Sequence, residues 1–182
     1  EARFAELDAN GNLIGEKLKL MFEKDKMNYV VLDSERTGMI LSTTNIMLNE
    51  MANAQMQLVI IEPNETLDFE EISMKRLTIL KLRYPSLTRE NNTPEAQQFR
   101  NEFRRKNKVF PSQYAIRGFD ITFDTMIRLS QEKSFELAAG ESKTEQIESK
   151  FEYLKKVDSE GYINKGIYIL QYEDDLSVKQ AN

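Results

Sequence analysis

The sequence contains no cysteine, no histidine and no tryptophan. Without cysteine the chain can form neither a disulfide framework nor a thiolate site. Without histidine it can assemble no Ser-His or Cys-His nucleophile, and it lacks the commonest ligand of catalytic zinc. An enzyme built on this chain would have to work with carboxylates and lysines alone. We therefore expect a protein that is not an enzyme and that has no metal, no cofactor and no catalytic residue.

Long apolar runs and an excess of positive charge are also absent. No apolar run approaches the roughly 20 residues that span a bilayer. The net charge of -5 argues against a general nucleic-acid binder, so we expect no nucleic-acid partner. The 182 residues are 40% hydrophobic and 30% charged, as is typical of a globular domain with a core. The chain starts at Glu1 without an initiator methionine or a signal peptide, as expected for a mature segment or an excised fragment.

The stretch between residues 28 and 63 predicts a strand, a helix and a second strand. Residues 28–33 and 57–61 are short apolar runs that contain several β-branched side chains. Between them, residues 39–51 place Ile40, Met47 and other apolar side chains on one helical face. Two continuous apolar strands around an amphipathic helix are typical of a parallel βαβ crossover that is buried on both faces.

Polar residues follow both strands at the point where each one ends. In open parallel sheets, ligands bind beyond the carboxyl ends of the strands, and neighbouring strands lie only about 4.7–4.9 Å apart. One small molecule could therefore reach both polar turns, and the carboxylates there favour a partner with an ammonium group or a cation. The alternative is a pair of solvated loops whose acids keep the protein soluble. The predicted ligand-binding residues are Asp33, Ser34, Glu35, Glu62, Asn64 and Glu65.

The rest of the chain predicts one more strand, two helices and a hairpin. Residues 77–84 are a β-prone run and predict the strand. At Thr93 a hydroxyl cap, followed by proline and glutamate, predicts the start of the first helix. Residues 113–131 have the apolar spacing of the second helix. After residue 150 the apolar period changes to two, which predicts a closing antiparallel hairpin at residues 151–172.

Two acidic patterns have competing interpretations. Residues 8–12 imitate the start of a calcium-binding loop, but the loop's glycine and glutamate positions are not matched, and a turn is the commoner meaning. Asp120 and Asp124 share one helical face and could be catalytic carboxylates. Solvated or salt-bridged acids are commoner, and Asp124 is well placed for an i,i+4 pair with Arg128.

The same patterns predict which side chains form the core. They are the apolar residues of the two strands, of the connecting helix and of the two later helices. The predicted core residues are Val30, Leu32, Met47, Val59, Ile61, Phe99, Phe119 and Phe123.

Several motifs in the second half follow one another in a characteristic order. A strand ends in YPS at residues 84–86, a helix at residues 93–107 follows, and the run YAIRGFD occupies residues 114–120. In this order they resemble the later part of a type I periplasmic binding protein, the two-lobed "Venus flytrap" receptor, and residues 161–172 fit its closing strands. LVIIEPNE at residues 58–65, together with RGFD, is similar to Bacteroides-group envelope proteins in which a receptor-like module follows peptidoglycan-binding LysM repeats.

The resemblance implies an α/β fold with a mainly parallel sheet, helices on both faces and a closing antiparallel hairpin. It implies a single receptor-like domain fragment over residues 1–182. The expected parts are a second-lobe-like part at residues 1–112, a helical part at residues 113–149 and the hairpin at residues 150–182. Most of the family's first lobe and the opening strands of its second lobe have no counterpart here.

The resemblance also implies a function and a location. We expect a non-enzymatic, solute-binding-protein-like domain of the periplasm or cell envelope, which binds a small polar, amino-acid-like ligand. The family's glutamate that meets the ligand amine falls near Glu62 or Glu65, and both remain open. Peptidoglycan-binding repeats would precede the domain in the full-length protein. The alternative is a structural or protein-interaction module of a peptidoglycan-associated envelope protein, whose partner is another envelope protein.

Overall fold

The computed structural model describes residues 2–62, 72–131, 134–140, 142–157 and 161–181. The chain mixes helices with strands and separates into two compact units. Unit 1 comprises Glu1–Pro85 and Ile169–Asn182, and unit 2 comprises Ser86–Tyr168. The chain thus leaves unit 1 once and returns to it once. A single domain with internal boundaries at residues 112 and 149 stays a prediction.

A parallel βαβ crossover organises unit 1. Strands β1 (Met27–Leu32) and β2 (Gln55–Ile60) are parallel neighbours over six consecutive residue pairs. Helix α2 (Thr37–Glu50) connects them and buries Ile40 and Met47, which lie on one helical face. The predicted strand, helix and strand between residues 28 and 63 are confirmed, each with boundaries within two residues of those expected.

Residues 77–84 do not form the predicted strand over most of their length. They contribute to helix α3 (Met74–Ile79), and only β3 (Arg83–Ser86) is extended. The hydroxyl of Ser73 caps α3 by accepting the N–H of the helix's third residue at 3.4 Å. Lys81 follows the helix in a left-handed conformation, with a φ of 46°. A capped start and a left-handed residue after the end thus outweigh the β propensity of this run.

The sheet of unit 1 is mixed rather than wholly parallel. β3 lies parallel to β2, and two further strands, β8 (Tyr168–Tyr172) and β9 (Val178–Gln180), complete a sheet of five in the order β1-β2-β3-β8-β9. β8 and β9 are antiparallel to each other. The described chain therefore has an α/β unit with a parallel part, β1 to β3, and an antiparallel edge.

The hairpin predicted at residues 151–172 is wrong in its extent. Strands β6 (Tyr153–Lys155) and β7 (Tyr162–Asn164) do form a small antiparallel ladder. β8 then belongs to the sheet of unit 1 and pairs with β9 instead. The chain changes direction at Gly166, where the backbone of Lys150 approaches so closely that no Cβ would fit. One period-two run is thus divided between two sheets.

The core of unit 1 contains only part of the residues predicted for it. Leu32 and Met47 are buried, as predicted, whereas Val30 and Val59 are half-buried. Ile61 is 52% exposed, and its prediction is wrong because β2 ends one residue earlier. The principal buried members are Leu32, Ile40, Met47, Ala54, Met56, Leu58, Ile60, Ile72, Leu77, Leu80, Leu82 and Tyr172.

Strand β1 is covered on one face, not on both. Tyr29 is 60% and Val31 is 58% exposed, while the intervening Val30 packs on the core. Both α2 and α3 contribute to that same core, and the short helix α1 (Gly15–Lys19) packs against α2. The prediction that both faces of β1 are buried beneath helices is therefore wrong. The described helices α2 and α3 pack on the face that carries Val30 and Leu32, so Tyr29 and Val31 on the opposite face stay exposed; β1 is also an edge strand of the sheet.

Unit 2 is mainly helical. The helix start predicted at Thr93 is confirmed, because its hydroxyl accepts the N–H of Ala96 at 3.4 Å. No helix of the described residues is both long enough and apolar enough to cross a bilayer. Besides β6 and β7, the elements of unit 2 are α4 (Pro94–Asn107), α5 (Gln113–Gln131), α6 (Phe135–Ala139) and the antiparallel strands β4 (Thr144–Glu145) and β5 (Lys150–Phe151).

The phenylalanines predicted for the core lie at the surface of unit 2. Phe99 is half-buried, Phe119 is 38% exposed and Phe123 is 43% exposed, so burial of the last two is contradicted. α5 buries a different and mostly charged stripe. Its buried members are Ile116, Asp120, Asp124 and Arg128.

Candidate functional site

The strand tips of unit 1 bring several of the predicted ligand-binding residues to one edge. Leu32 is paired with Ile60 across the two parallel strands, so the chain leaves both strands at the same end of the sheet. Asp33 and Ser34 directly follow the first strand, and Glu62 follows the second after one intervening residue, Ile61. The turns that follow β1 and β2 therefore begin side by side, as the parallel crossover predicts.

The described carboxylates at this edge are exposed. Asp33, Glu35 and Glu62 are exposed, and none of them has an ion pair or side-chain hydrogen bond with any residue that the structure describes. Ser34 accepts the backbone N–H of Arg36 at 3.2 Å, which shapes the turn into α2. The edge thus carries negative charge that no described cation neutralises.

Arg36 is the cationic residue that lies nearest to Asp33 and Glu35 in the sequence, and its guanidinium group is hydrogen-bonded to another segment. The guanidinium of Arg36 donates to the backbone oxygen of Gly11 at 2.7 Å and to the side-chain oxygen of Asn12 at 3.2 Å. It therefore joins the start of α2 to the turn at residues 8–12. Because both contacts are to neutral oxygens, Arg36 stabilises this turn without forming an ion pair with a carboxylate of the strand-tip edge.

Residues 8–12 form a turn and not a calcium-binding loop. The carboxylate of Asp8 accepts the backbone N–H groups of Asn10 and Asn12, each at 2.8 Å. These hydrogen bonds, first those from Asn12, lower the pKa of Asp8 below its usual value. The oxygens that would hold a cation are thus engaged by the chain's own amides. Across the described residues no three acidic side chains come close enough to hold a metal ion.

Two of the predicted site residues, Asn64 and Glu65, lie outside the described residues. The choice between Glu62 and Glu65 as the partner of a ligand amine therefore stays open. Of the six predicted residues, the structure brings Asp33, Ser34 and Glu62 to adjoining strand tips. Glu35 follows in the turn that leads to α2.

Unit 2 has a second surface that the sequence analysis missed. A groove of about 480 Å³ lies over α4 and α5, and the rings of Phe99, Phe119 and Phe123 line it. The centroids of Phe99 and Phe119 are 4.5 Å apart, and those of Phe119 and Phe123 are 5.4 Å apart. The helical spacing of these phenylalanines predicts buried core residues. Periodicity alone does not distinguish a buried stripe from an exposed one.

Asp120 is used to shape the backbone of unit 2. Its side chain is fully buried and accepts three consecutive backbone N–H groups, from Ile147 at 2.9 Å, Glu148 at 3.0 Å and Ser149 at 2.9 Å. These hydrogen bonds occupy three of the roughly four acceptor sites of the carboxylate, and the side chain is closed to solvent. The interpretation of Asp120 as a catalytic acid is therefore not supported by its geometry.

Asp124 is likewise occupied, and its predicted i,i+4 pair with Arg128 is confirmed at 2.8 Å. The rest of the guanidinium donates to the backbone oxygens of Ala138 at 2.9 Å and Ser142 at 3.1 Å. Thr144 donates its hydroxyl to Asp124 and accepts from Arg128 at 3.0 Å. This ion pair is buried rather than solvated, which the sequence did not indicate. The i, i+4, i+8 spacing of Asp120, Asp124 and Arg128 indicates only that the three side chains share one helical face.

Among the described residues, the strand-tip edge carries exposed carboxylates and the groove carries partly exposed aromatic rings. Comparison of the chain with protein-family models, with curated proteins and with solved structures gives no match.

Proposed function

We propose that this chain is a non-enzymatic, receptor-like binding domain of the bacterial cell envelope or periplasm. Its ligand is a small polar molecule with a free ammonium group, such as an amino acid. The observation that carries the proposal is the parallel pairing of Leu32 with Ile60, which puts Asp33 and Glu62, both exposed, after adjoining strand tips. Glu35 and Ser34 extend this edge.

The resemblance to type I periplasmic binding proteins supports the proposal. In that family, strand tips of the second lobe contact the ligand, and the envelope is the place of action. The sequence similarity at residues 58–65 and 117–120 extends to envelope proteins with LysM repeats, which would place peptidoglycan-binding repeats upstream in the full-length protein. The lack of histidine and cysteine, and the full use of Asp120 and Asp124 by the fold, support a role without catalysis.

The chemistry of the edge sets the expected strength of binding. An exposed carboxylate that pairs with an ammonium group contributes only about 0.2–1 kcal/mol, and salt screens the attraction. Two or three such contacts give weak binding, so the ligand must be offered at high concentration. At 100 times its Kd, a ligand adds about 2.7 kcal/mol to the free energy of unfolding.

A thermal-shift screen tests the proposal. Free amino acids and short peptides should raise the Tm, and their N-acetylated analogues should not, because acetylation removes the ammonium charge. Glu62→Gln, Glu65→Gln and Asp33→Asn should each reduce the shift without lowering the Tm of the free protein. Asp25→Asn is the matched control, since Asp25 is also exposed and unpaired among the described residues but precedes β1.

Two outcomes would contradict the proposal. If the N-acetylated analogues shift the Tm as much as the free amines do, the ammonium group is not what the edge recognises. If Asp33→Asn, Glu62→Gln and Glu65→Gln all bind as tightly as the parent chain, these acids are not the site.

The alternative function is a protein-interaction module of a peptidoglycan-associated envelope protein. It is favoured by the exposed Tyr29 and Val31 on β1, the outermost strand of the described sheet. Such an edge can add an extended peptide as a further strand. Tyr29→Lys and Val31→Lys would then abolish binding of an extended peptide of an envelope protein. The same substitutions should leave an amine-dependent thermal shift unchanged, which separates the two functions.

A further inference from the structure

The connection between α4 and α5 carries exposed apolar side chains. Val109 is 61% and Phe110 is 60% exposed, and Tyr114, at the start of α5, is 86% exposed. Every residue from 104 to 110 is exposed, so no described element of the chain covers this end of α4. We call residues 104–117 the α4–α5 corner. Apolar side chains that stay in water add little to the stability of a fold, and when they lie together they are typical of a surface that meets a partner.

Five exposed cations surround these apolar side chains in the sequence. They are Arg104, Arg105, Lys106, Lys108 and Arg117. No aspartate or glutamate occurs between residues 103 and 119. Arg105 pairs with Glu102 at 2.7 Å, and Lys106 lies close enough to attract the same carboxylate. Arg104, Lys108 and Arg117 form no ion pair with any residue that the structure describes. The corner therefore carries positive charge that the described chain does not neutralise.

The helix dipole accounts for only part of this charge. Cations in the last turn of α4, at residues 104–106, are favoured by the negative end of that helix. Arg117 lies about one turn after the start of α5, near the positive end, where a cation gains no stabilisation. Lys108 caps α4 with a left-handed φ of 63°, a conformation in which glycine or asparagine is usual. The stability of the two helices thus explains neither Lys108 nor Arg117.

A second stretch of the same charge is used by the fold instead. Residues 72–89 also contain five cations and no acid. There, the guanidinium groups of Arg76, Arg83 and Arg89 are each held by a hydrogen bond or an ion pair to another described residue. The cations of the α4–α5 corner have only Glu102 as an acidic partner among the described residues. Their charge remains available to a partner outside the chain.

Arg104 joins the charged part of the corner to the apolar part. Its guanidinium carbon lies 4.4 Å from the centroid of the Phe110 ring, which places a positive charge against one face of that ring. A nucleic-acid base that stacked on this face would have to displace Arg104. The neighbouring Val109 is aliphatic and offers no ring for stacking. Apolar side chains beside lysine and arginine are instead the pattern of segments that lie at a membrane surface.

We propose that the α4–α5 corner binds the surface of an anionic phospholipid bilayer. Val109 and Phe110 enter the boundary between headgroups and acyl chains, and Tyr114 lies at the level of the headgroups with its hydroxyl in water. The surrounding cations pair with the phosphates of the lipids. A symmetric contact with a second copy would instead bring two sets of like charges together. The corner lies wholly in unit 2 and is independent of the strand-tip edge proposed above.

The absence of tryptophan allows a single reporter to test insertion. Phe110→Trp places the one indole of the chain at the corner. Phe4→Trp is the control, because Phe4 is 88% exposed and belongs to unit 1. Each variant of the 182-residue chain is mixed with vesicles of phosphatidylglycerol and phosphatidylcholine in equal parts, and with vesicles of phosphatidylcholine alone. We expect a saturable blue shift of the tryptophan emission only for Phe110→Trp with the anionic vesicles.

Charge variants test the role of the cations in vesicle sedimentation. One lysine or arginine near an anionic surface contributes about fivefold to binding. Lys108→Asn combined with Arg117→Gln should therefore weaken binding to the anionic vesicles about 25-fold, and less at high salt. Asparagine is chosen because it tolerates the left-handed conformation of residue 108. Lys155→Gln combined with Lys156→Gln is the control, because it removes the same charge from exposed positions of unit 2 outside the corner. Circular dichroism checks that each variant is folded.

Several results would overturn the proposal. Equal binding to neutral and anionic vesicles would exclude charge as the determinant. Unshifted emission of Phe110→Trp, when the protein sediments with the vesicles, would show that the corner does not insert. Displacement of the protein by inorganic phosphate at matched ionic strength would make a free anion the ligand. A single-stranded oligonucleotide that binds the parent but not the Lys108→Asn, Arg117→Gln variant would make a nucleic acid the partner. A dimer that the same variant dissociates would make it a second copy.

Discussion

At the scale of single residues, the charged stripe of α5 carries the strongest constraint in unit 2. The side chains of Asp124 and Arg128 are 0% and 1% exposed, and both are satisfied by hydrogen bonds. Removing two charges from water costs free energy, which their attraction and the additional hydrogen bonds offset. Because these bonds reach the backbone at residues 138 and 142, the pair joins α5 to α6 and to the segment that follows α6.

Removing the cation should therefore destabilise the protein severely. Arg128→Met replaces the guanidinium group with an unbranched apolar side chain and leaves Asp124 buried without its cationic partner. We expect the free energy of unfolding to fall by about 3–5 kcal/mol, the usual cost of breaking a buried ion pair. Chemical denaturation followed by circular dichroism measures this value.

The matched control is an ion pair with the same i,i+4 separation in the sequence, but it lies in solvent. Lys179 and Asp175 form an exposed i,i+4 pair at 3.0 Å. Lys179→Met should cost no more than about 1 kcal/mol, because exposed pairs contribute little. A similar loss for Lys179→Met and Arg128→Met would mean that burial of the Arg128 pair does not determine its contribution.

At the scale of elements, two glycines have opposite roles. Gly118 lies within α5, and an added Cβ would meet no atom within 4 Å. Gly166 lies between β7 and β8, where an added Cβ would come within 2.6 Å of the carbonyl carbon of Lys150. The first glycine only increases the freedom of the unfolded chain, whereas the second permits a close approach of two backbone segments.

Alanine substitutions at these two positions should change stability in opposite directions. Gly118→Ala should raise the free energy of unfolding by about 0.5–1 kcal/mol, because alanine is the better helix former. Gly166→Ala should lower it by about 1–3 kcal/mol, because the backbone must move to admit the methyl group. Each variant serves as the control for the other in thermal denaturation. A stabilising Gly166→Ala would show that these segments lie further apart.

At the scale of the whole molecule, the absence of histidine and cysteine determines the response to pH. No side chain of this composition has an ordinary pKa between about 5 and 8. The shifts that do occur lie outside this range. A hydrogen bond from the Ser177 hydroxyl is the main cause that lowers the pKa of Asp175, and burial raises the pKa of Tyr168 to about 12.

The signs of these shifts predict a plateau of stability. A carboxyl with a lowered pKa in the folded state contributes stability above about pH 4, which is lost as the pH falls through the folded value. Tyr168 has a raised pKa, so its contribution is intact below about pH 10 and is lost as the pH rises towards about 12. The Tm should therefore stay constant within a few degrees between about pH 6 and 9.

Thermal denaturation across the pH range tests this plateau. Tyr168→Phe is the informative variant, because phenylalanine does not ionise and should make the loss of stability between about pH 10 and 12 less steep. A marked maximum of the Tm near neutral pH would contradict the prediction.

The sequence by itself determined the local elements whose signals are strong. The βαβ unit follows from two apolar runs around an amphipathic helix, and the start of α4 follows from the cap at Thr93. The sequence also predicts that Asp33, Ser34 and Glu62 lie at one edge, because neighbouring parallel strands end on the same side of a sheet. α3 was missed, because the β propensity of residues 77–84 is contradicted only by weak local signals at Ser73 and Lys81.

Only the tertiary structure decided which stripe of α5 is buried. Phe119 and Phe123 have the periodicity of a core, but their stripe remains partly exposed. Asp120 and Arg128 are buried because residues 138–149 supply hydrogen-bond partners for both, in addition to the ion pair of Arg128 with Asp124. Those partners are 10 to 29 residues away along the chain. Spacing within one helix describes which side chains share a face, whereas the cost of burying a face depends on partners that only the fold supplies.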